Sequence, residues 1–304
     1  MISGSDSIIG LDLCYNSWIE TKGESGLDIV EERIQLSSAT LHITLDRFNK
    51  RIRVEDYLGN FQACIDESLK LAENILAEKI IFKARKENVQ ELLNQGFLYE
   101  GSIDKFFLGS DCHFLVKYTN DERRNSSQWK KEDQILASVQ RLPLKGVLKP
   151  PPSSFSGRRA EEADKVKLAG LYRKVFEVYP TPMNDPVYVK KCMESGTVFY
   201  IFEHEGEVVS AASAEINQLY RNAEITDCAT LPEYRQYGLM KHLIEKLERH
   251  LVSNGIYCIY SIARSLSFGM NAALHQQGYY YRGRLANNCF IFDKLEDMNL
   301  WVKN

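Results

Sequence analysis

The sequence predicts a mixed α+β protein, built from two halves of related structure. A seven-residue pattern occurs almost twice, as QGFLYEG at Gln95–Gly101 and as QGYYYRG at Gln277–Gly283. Each copy follows an Ala-Arg pair, with an apolar run before that pair and a strand-like tail after the copy. Between the copies, the polar stretch 120–133 and the stiff run Pro150–Ser154 interrupt the apolar periodicity, as linkers do. We therefore interpret the chain as one structural unit used twice.

Composition excludes several classes of protein. Of the 304 residues 44% are apolar and 26% charged, which is typical of globular proteins and sufficient for two domains. A net charge of -3 offers no basic excess for nucleic acid. The opening segment MISGSDSIIGLDL lacks the basic start and apolar core of a signal peptide, and no run approaches the roughly 20 apolar residues of a membrane helix. We expect a cytoplasmic protein with no nucleic-acid or membrane partner.

The cysteines favour structural thiols over a metal site. They occur singly, without the CxxC or HxxxH spacing that metal centres use. Scattered cysteines of this kind are usually buried and reduced in a cytosolic protein, so we expect no metal and no disulfide. The seven are Cys14, Cys64, Cys112, Cys192, Cys228, Cys258 and Cys289.

The N-terminal half is expected over residues 1–120, and a polar, proline-rich linker over 121–157. Alternating apolar residues predict strands, and an apolar stripe at helical spacing predicts the first helix. The predicted strands are Leu41–Leu45, Arg51–Asp56 and Lys79–Lys83, the helices Phe61–Ala77 and Glu87–Asn94, and the hairpin Phe106–Tyr118, broken at Gly109-Ser110.

The C-terminal half is expected over residues 158–304. Pro180 and Pro182 end its first helix, and Gly255 caps a later helix that has a continuous apolar face. The predicted helices are Ala160–Val178, Asp185–Ser195, Leu239–Ser253 and Phe268–Gln276, and the strands are Val198–His204, Glu207–Ile216, Asn222–Thr230, Ile256–Ile262 and the end of the chain.

The segment Ala229–Leu239 carries the clearest chemical signal. A predicted strand ends, Gly238 permits a tight turn and a helix begins. The first amides of that helix lack internal partners, and with the helix dipole they form an anion site. Arg235 adds a planar cation suited to a phosphate.

The hexapeptide Arg235–Met240 resembles the acetyl-CoA signature [Q/R]-x-x-G-x-[G/A] of the GNAT superfamily of N-acetyltransferases, with Met240 in place of the small sixth residue. The resemblance covers about residues 156–304 and implies a mixed central sheet flanked by helices, preceded by a degenerate copy of the same fold. It also implies acetyl-CoA as cosubstrate. The implied cofactor-binding residues are Ala229, Thr230, Leu231, Arg235, Gln236, Tyr237, Gly238, Leu239, Met240 and Asn271.

Longer segments in both halves look like those of bacterial and archaeal β-lysine N6-acetyltransferases. That likeness implies acetylation of the side-chain amine of β-lysine to N6-acetyl-β-lysine, a compatible solute. Another small amine (a polyamine, an aminoglycoside or a peptide N-terminus) stays open as acceptor, as does a non-catalytic acetyl-CoA-binding module. The segments are Arg51–Tyr57, Tyr179–Pro182, Asp185-Pro186, Thr226–Arg235, Asn287-Asn288 and Glu296–Trp301.

Direct attack of a neutral amine on the thioester requires a group that handles the proton, because an amine of pKa near 10.4 is charged at pH 7. Asp227, just before the cofactor loop, is the candidate base or ammonium partner, and Glu224 is the second choice. Three residues apart on one strand, the two are expected on opposite faces. Tyr279 is a candidate acid for the leaving thiolate. A backbone amide between Ala229 and Leu231 is expected to stabilise the oxyanion.

The acceptor pocket is expected around the proline-rich turn of the C-terminal half. Tyr179 and Asp185 flank this turn, although Asp185 is equally suited to cap the next helix. Arg264 is a candidate partner for the carboxylate of the acceptor, and the resemblance adds Asn287. In the N-terminal half, Tyr57–Asn60 stands where a cofactor loop would be. We therefore expect a non-catalytic half that completes the acceptor pocket or forms a homodimer.

Overall fold

The computed structural model describes residues 21–22, 28–144 and 148–303. In these ranges fourteen strands form one sheet in the order β1-β2-β3-β4-β5-β7-β6-β13-β14-β12-β11-β10-β9-β8. The strands are β1 Thr21–Lys22, β2 Asp28–Gln35, β3 Ala39–Asp46, β4 Arg51–Gly59, β5 Lys79–Ala84, β6 Leu98–Phe107, β7 Ser110–Tyr118, β8 Phe155–Arg159, β9 Val198–His204, β10 Glu207–Asn217, β11 Asn222–Thr230, β12 Cys258–Arg264, β13 Tyr279–Ile291 and β14 Lys294–Lys303.

Eight α-helices accompany the sheet in the same ranges. Their apolar faces are buried, as in α7, where Leu243, Ile244 and Leu247 are fully enclosed. The helices are α1 Phe61–Asn74, α2 Val89–Asn94, α3 Asp121–Arg124, α4 Trp129–Gln140, α5 Lys165–Val175, α6 Pro186–Glu194, α7 Leu239–Ser253 and α8 Phe268–Gln276.

The two halves of the sheet have the same topology. The N-terminal half runs β2-β3-β4-β5-β7-β6, and the C-terminal half runs β9-β10-β11-β12-β14-β13. Each half contains one parallel pair, β4 with β5 and β11 with β12, and a helix makes the crossover between its strands. The α+β class and the repeated unit predicted from sequence are confirmed. In the described ranges α5 and α6 belong to the C-terminal half alone, and β1 and β8 occupy equivalent edges of the two halves.

Two glycines join the halves. β6 and β13 pair antiparallel through Gly101 and Gly283, the last residues of the two repeated patterns. A Cβ on Gly283 would lie 2.2 Å from the carbonyl oxygen of Glu100, so no larger residue fits without movement. Because equivalent strands meet antiparallel at equivalent residues, an approximate twofold axis relates the two halves.

A shared core reinforces this junction. One cluster of buried side chains takes Ile81 and Phe114 from the N-terminal half and Tyr260 and Leu300 from the C-terminal half. Each half also has its own core, on the side where its helices pack. The halves are therefore packed against each other over a continuous apolar surface.

The region between the halves is more structured than the expected linker. It contains α3 and α4, and the predicted helix Ala160–Val178 is shorter at α5, with the unpredicted strand β8 before it. The main-chain carbonyls of Arg123 and Asn125 accept hydrogen bonds from the side chain of Asn287. The division at residues 120 and 157 stays a prediction.

Six cysteines are free thiols, and burial raises the pKa of several, including that of Cys64; Cys14 lies outside the described residues. In the ranges that the structure covers, no helix is long and apolar enough to span a membrane. Over the same ranges, no group of His, Cys, Asp or Glu is arranged to hold a metal ion.

Candidate active site

The site begins where two parallel strands separate. β11 and β12 pair only through Asn222–Glu224 and Cys258–Tyr260. Beyond these pairs β11 continues to Thr230 and β12 to Arg264, so a gap opens between them. Main-chain groups that face the gap are available to an extended ligand such as an acyl-carrying chain. The loop after β11 lies at the open end of this gap.

The loop after β11 leads into α7 without a side-chain cap. A 3-10 turn, Pro232–Tyr237, ends at Gly238, which has φ 66° and precedes the first residue of α7. Because no side chain caps the helix, its first amides are free for an anion, and the dipole of a fifteen-residue helix favours negative charge there. An added Cβ on Gly238 would meet no atom within 4 Å, so the space beside the turn is open.

Arg235 presents a cation at this loop. Its Nε donates to the carbonyl oxygen of Thr230 at 3.2 Å, and its terminal nitrogens have no hydrogen-bond partner among the described residues. Gln236 and Tyr237 are exposed beside it, whereas Leu239 is buried and Met240 packs partly on the core. The loop residues therefore lie together at the mouth of the gap, and their binding of a pyrophosphate stays a prediction.

Asn271 does not fit the predicted contact with the cofactor. It is fully buried, its amide nitrogen donates to the carbonyls of Arg264 and Ser267, and its oxygen accepts from Asn299 and Trp301 at 2.9 and 2.8 Å. Because these bonds occupy both ends of the amide, Asn271 anchors α8 to β14 and is withdrawn as a cofactor ligand.

Asp227 lies in the part of β11 that borders the gap, where the strand is irregular. Its φ is 47°, and Asp227 and Cys228 together stand opposite Ala212, which makes a β-bulge. Its carboxylate accepts hydrogen bonds from Ser213 at 2.7 Å and from Tyr179 at 3.1 Å. Tyr179 was predicted in the acceptor pocket, and the structure brings it together with Asp227.

The expectation that Glu224 and Asp227 face opposite sides was wrong. Glu224 pairs directly with Glu215 on β10, and Ser213, two residues before Glu215, lies on the same face. Since Asp227 bonds Ser213, the bulge turns its carboxylate to the face of both glutamates. We call the surface formed by Glu215, Glu224 and Asp227 the acidic cleft.

The pKa values of all three carboxyl groups in the acidic cleft are raised. Burial raises the pKa of Asp227, although the hydrogen bonds from Ser213 and Tyr179 oppose the rise. Burial also raises the pKa of Glu224 to about 7 and that of Glu215 to about 8, and the neighbouring carboxylates add to both. Glu215 is nevertheless open to solvent, and neither glutamate has a hydrogen bond or ion pair within the described part of the chain.

Glu215 and Ser213 are functional candidates that sequence reasoning missed. Alternation along the predicted strand Glu207–Ile216 places the two on one face. A glutamate in a strand otherwise rich in alanine and valine was the available signal.

The N-terminal half forms the opposite wall of the acidic cleft. Asp56, on the same strand as Arg53, accepts a hydrogen bond from Tyr220 in the turn between β10 and β11, so β4 lies against this hairpin. In keeping with that contact, Arg53 and Lys83 lower the pKa of Glu224. Both cations pair with Glu55, Arg53 through its Nε at 2.9 Å. Glu31, on β2, shares the row of residues that runs through Thr44 to Arg53. The cleft is therefore acidic on one side and mixed in charge on the other.

Tyr279 is a poor candidate acid. It is 2% exposed, and burial together with the neighbouring Glu248 raises the pKa of its phenol well above the usual range. Lys303 lies 5.2 Å from its ring centre. A phenol enclosed in this way does not open onto a bound thioester, so the assignment is withdrawn.

The remaining predicted acceptor residues have structural partners. Asp185 caps α6, accepting from the amide of Val187 at 2.9 Å. Arg264 makes a two-bond ion pair with Glu296 at 2.8 and 3.1 Å, which occupies its planar fork. Asn287 holds the α3 region, as described above. Of the backbone amides between Ala229 and Leu231 that were expected to stabilise the oxyanion, the amide of Leu231 is already occupied, because it donates to the carbonyl oxygen of Val209.

The sequence is similar to that of known acetyltransferases. Residues 166–279 match the sequence profile of the acetyltransferase (GNAT) family. The chain is 42% identical over 89% of its length to the N-acetyltransferase YodP of Bacillus subtilis, covering 98% of that protein. It is 34% and 32% identical to the β-lysine N(6)-acetyltransferases of Methanosarcina mazei and Methanococcus maripaludis, over 82% and 90% of its length and 99% of each relative.

Proposed function

The chain belongs to the GNAT family of acetyltransferases, and from this premise we propose that it acetylates the side-chain amine of β-lysine to give N6-acetyl-β-lysine. It is an acetyl-CoA-dependent N-acetyltransferase. The acidic cleft beside the cofactor loop is the observation that carries the choice of acceptor, because three carboxyl groups on one face suit a small molecule with more than one ammonium. The names of two relatives support the same acceptor.

The cleft matches the charges of β-lysine. This acceptor has two ammonium groups three carbons apart and a carboxylate at the end remote from the reacting amine. Asp227 lies beside the gap and nearest the loop, and Glu224 and Glu215 lie farther from the loop along β11 and β10. We place the reacting amine at Asp227 and the second ammonium at the two glutamates. Acetylation removes one positive charge and leaves a product of zero net charge, which suits a compatible solute.

Asp227 is suited to handle the proton of the reacting amine. Its carboxylate is held by Ser213 and Tyr179, each of which donates to one of its oxygens and leaves further lone pairs free. Burial raises the pKa of Asp227 and so makes it a stronger base than an exposed aspartate. Removing the proton from an amine of pKa near 10.4 at pH 7 costs roughly 4–5 kcal/mol, and a neighbouring base reduces that cost.

Acetyl-CoA supplies the thioester carbonyl that the amine attacks. In the transfer, the amine nitrogen forms a bond to the carbonyl carbon, the carbon–sulfur bond breaks, and coenzyme A leaves with the sulfur. The proton lost by the amine passes to Asp227, directly or through water. Main-chain amides along the open edge of β11 are positioned to stabilise the developing negative oxygen.

The acceptor is tested by release of coenzyme A thiol from acetyl-CoA against a matched panel. The panel contains β-lysine, α-lysine, spermidine, an aminoglycoside and a short peptide. We expect the highest kcat/KM for β-lysine, with the acetyl group on N6 by NMR. A higher kcat/KM for another amine would overturn β-lysine as acceptor. Calorimetric binding of acetyl-CoA without thiol release from any amine would instead indicate a non-catalytic module.

A further inference from the structure

The motif Arg51–Tyr57 in the N-terminal half is not explained by acetyl transfer at the loop, although part of it faces the acidic cleft. We infer that Arg53, from this half, binds the carboxylate of the acceptor and so makes the enzyme selective for an amino acid over a simple diamine. This inference rests on the proposed function, since it requires an acceptor that carries both ammonium groups and a carboxylate.

Arg53 and Glu224 occupy equivalent positions in the two halves. In the parallel pair of the N-terminal half Arg53 stands opposite Ile81, and in the parallel pair of the C-terminal half Glu224 stands opposite Tyr260. The repeated Ala-Arg pairs, Ala84-Arg85 and Ala263-Arg264, bring Ile81 and Tyr260 into the same alignment. The approximate twofold axis therefore relates a cation to an anion.

The shared core brings these two positions together. Ile81 and Tyr260 belong to one buried cluster at the contact between the halves. Phe106 bridges them further: its ring lies 5.8 Å from that of Tyr260, and the ammonium of Lys83 lies 5.4 Å from its centre. Arg53 and Glu224 each stand one strand outward from this cluster. Their strands also meet directly, because Asp56 of β4 accepts a hydrogen bond from Tyr220 in the turn between β10 and β11, so the two residues line facing walls of one cleft.

The guanidinium of Arg53 is available for a ligand. Only its Nε is in an ion pair, with Glu55, and within the described ranges its two terminal nitrogens have no partner. The side chain is 33% exposed. Lys83 is less available, because its side chain is more enclosed and its ammonium pairs closely with Glu55. The two terminal nitrogens together form one N–H edge, which matches the planar geometry of a carboxylate.

The spacing of charges in the acceptor fits this arrangement. In β-lysine the carboxylate and the nearer ammonium are separated by two carbons, so both must be bound within one small region. Arg53 and Glu224 provide a cation and an anion on facing walls of the cleft, while Asp227 lies farther along β11 toward the loop. A polyamine would place no negative group at Arg53 and would leave its terminal nitrogens without that partner.

The test compares β-lysine with 1,4-diaminopentane, which is the same molecule without its carboxylate. Wild type, Arg53→Gln, Arg53→Lys and the control Arg124→Gln, an exposed arginine of α3, are assayed with both amines and acetyl-CoA. We expect Arg53→Gln to raise KM for β-lysine about 10- to 100-fold, the effect of losing a charge-assisted bond. KM for 1,4-diaminopentane and for acetyl-CoA should change less than threefold. Arg53→Lys should recover part of the selectivity.

The outcomes separate the two proposals. Loss of activity toward both amines to the same extent, or no change toward either, would overturn the role of Arg53. Retained turnover of 1,4-diaminopentane by Arg53→Gln shows in the same assay that the variant is folded. If wild type fails to acetylate β-lysine while accepting other amines, the proposed acceptor is wrong whatever Arg53 does. A control variant that behaves like Arg53→Gln would also overturn the inference.

Discussion

At the scale of single residues, the conformation of Asp227 decides what the site can do. A regular strand would send its carboxylate away from Glu224, and the bulge sends it toward that residue. Left-handed φ values are tolerated by aspartate better than by most residues with a Cβ, and they cluster at functional sites. The local irregularity therefore assembles the acidic cleft.

Replacement of Asp227 by asparagine tests its part in proton transfer. The amide keeps the size of the side chain and removes its charge, so we expect kcat for the acceptor to fall about 10²- to 10⁴-fold, the usual contribution of a general base. The rate should recover partly at high pH, where solution supplies free amine. KM for acetyl-CoA should stay within about threefold of wild type. Steady-state kinetics between pH 6 and 10 measure these effects, and a wild-type profile would remove Asp227 from the mechanism.

The raised pKa values in the cleft predict a dependence of stability on pH. An unfolded glutamate has a pKa near 4.3, whereas Glu224 and Glu215 in the folded chain have values of about 7 and 8. Between about pH 4.5 and 8 the folded form holds protons that the unfolded form releases. Their contribution to stability is therefore complete at low pH and is lost as pH rises through 7 to 8.

Urea unfolding at pH 6 and pH 9 measures this effect without acceptor present. Glu215→Gln should lose less stability than wild type between the two pH values, because an amide does not titrate. Glu122→Gln, at an exposed glutamate of α3, serves as the matched control and should behave like wild type. An equal change in the free energy of unfolding between pH 6 and pH 9 for wild type and Glu215→Gln would show that Glu215 is not held protonated.

Sequence patterns were sufficient to predict where some of these residues lie in the fold, and insufficient for others. The position of Arg235 and Gly238 in a loop between a strand and a helix was predicted, because the signal for such a connection lies within one short segment. The shared face of Asp227 and Glu224 could not be predicted, since a bulge depends on how β10 pairs with β11. Asn271 and Arg264 have suitable chemistry, but Trp301, Asn299 and Glu296, distant in sequence, occupy their polar groups.

At the scale of elements, the two equivalent strand-to-helix connections differ in whether a side chain caps the first amides of the helix. In the N-terminal half Asn60 caps α1, with its side chain accepting from the amide of Ala63, and only one residue separates β4 from α1. In the C-terminal half eight residues separate β11 from α7, and Gly238 leaves the first amides open. We therefore expect one acetyl-CoA per chain by calorimetric titration. A stoichiometry near two would contradict this reading of α1.

Gly238→Val tests the connection directly. Valine is strained at a φ of 66°, and its side chain would enter the open space beside the amides. We expect KM for acetyl-CoA to rise at least about tenfold, the equivalent of about 1.4 kcal/mol. Gly206→Val is the matched control, because Gly206 also has positive φ and open surroundings, in the turn between β9 and β10. It should lower stability and leave KM unchanged; equal effects on KM would place the phosphate site elsewhere.

The elements themselves were largely predictable, because their signals are local. The helical stripe of α7 and the alternation in β10 each occur within one segment. α4 was missed because the first half of its sequence, WKKEDQ, is mostly polar and resembles a solvated linker. α4 buries Val139 in the core of the C-terminal half, with Ile135 and Leu136 packed against that core, and its Glu132 lies 3.5 Å from the distant Arg284. No pattern within residues 121–157 indicates that contact.

At the scale of the whole molecule, the junction between halves depends on Gly101 and Gly283. Gly283→Ala would place a Cβ 2.2 Å from the carbonyl oxygen of Glu100, so the backbones must move apart. We expect a loss of about 2–4 kcal/mol in the free energy of unfolding, from overpacking and strain together. Gly170→Ala, in open space on α5, is the control and should stabilise by about 0.5–1 kcal/mol.

Denaturant unfolding distinguishes the two substitutions. If Gly283→Ala unfolds at the denaturant concentration of wild type, β6 and β13 are not in close contact. A second transition in this variant, absent from wild type, would show that the halves unfold separately once their junction is weakened. Both results are measurable with the intact chain, so neither half needs to fold alone.

The joining of both halves in one polypeptide has a consequence for what the cleft can recognise. Two identical subunits about a true twofold axis must present the same residue at equivalent positions, so an arginine would face an arginine and a glutamate a glutamate. A single chain is free of that restriction, and here Arg53 faces Glu224. Broken symmetry therefore allows a dipolar molecule to be held between two copies of one fold. A covalent tether also keeps the unlike pair together at any protein concentration, whereas separate subunits would have to select each other.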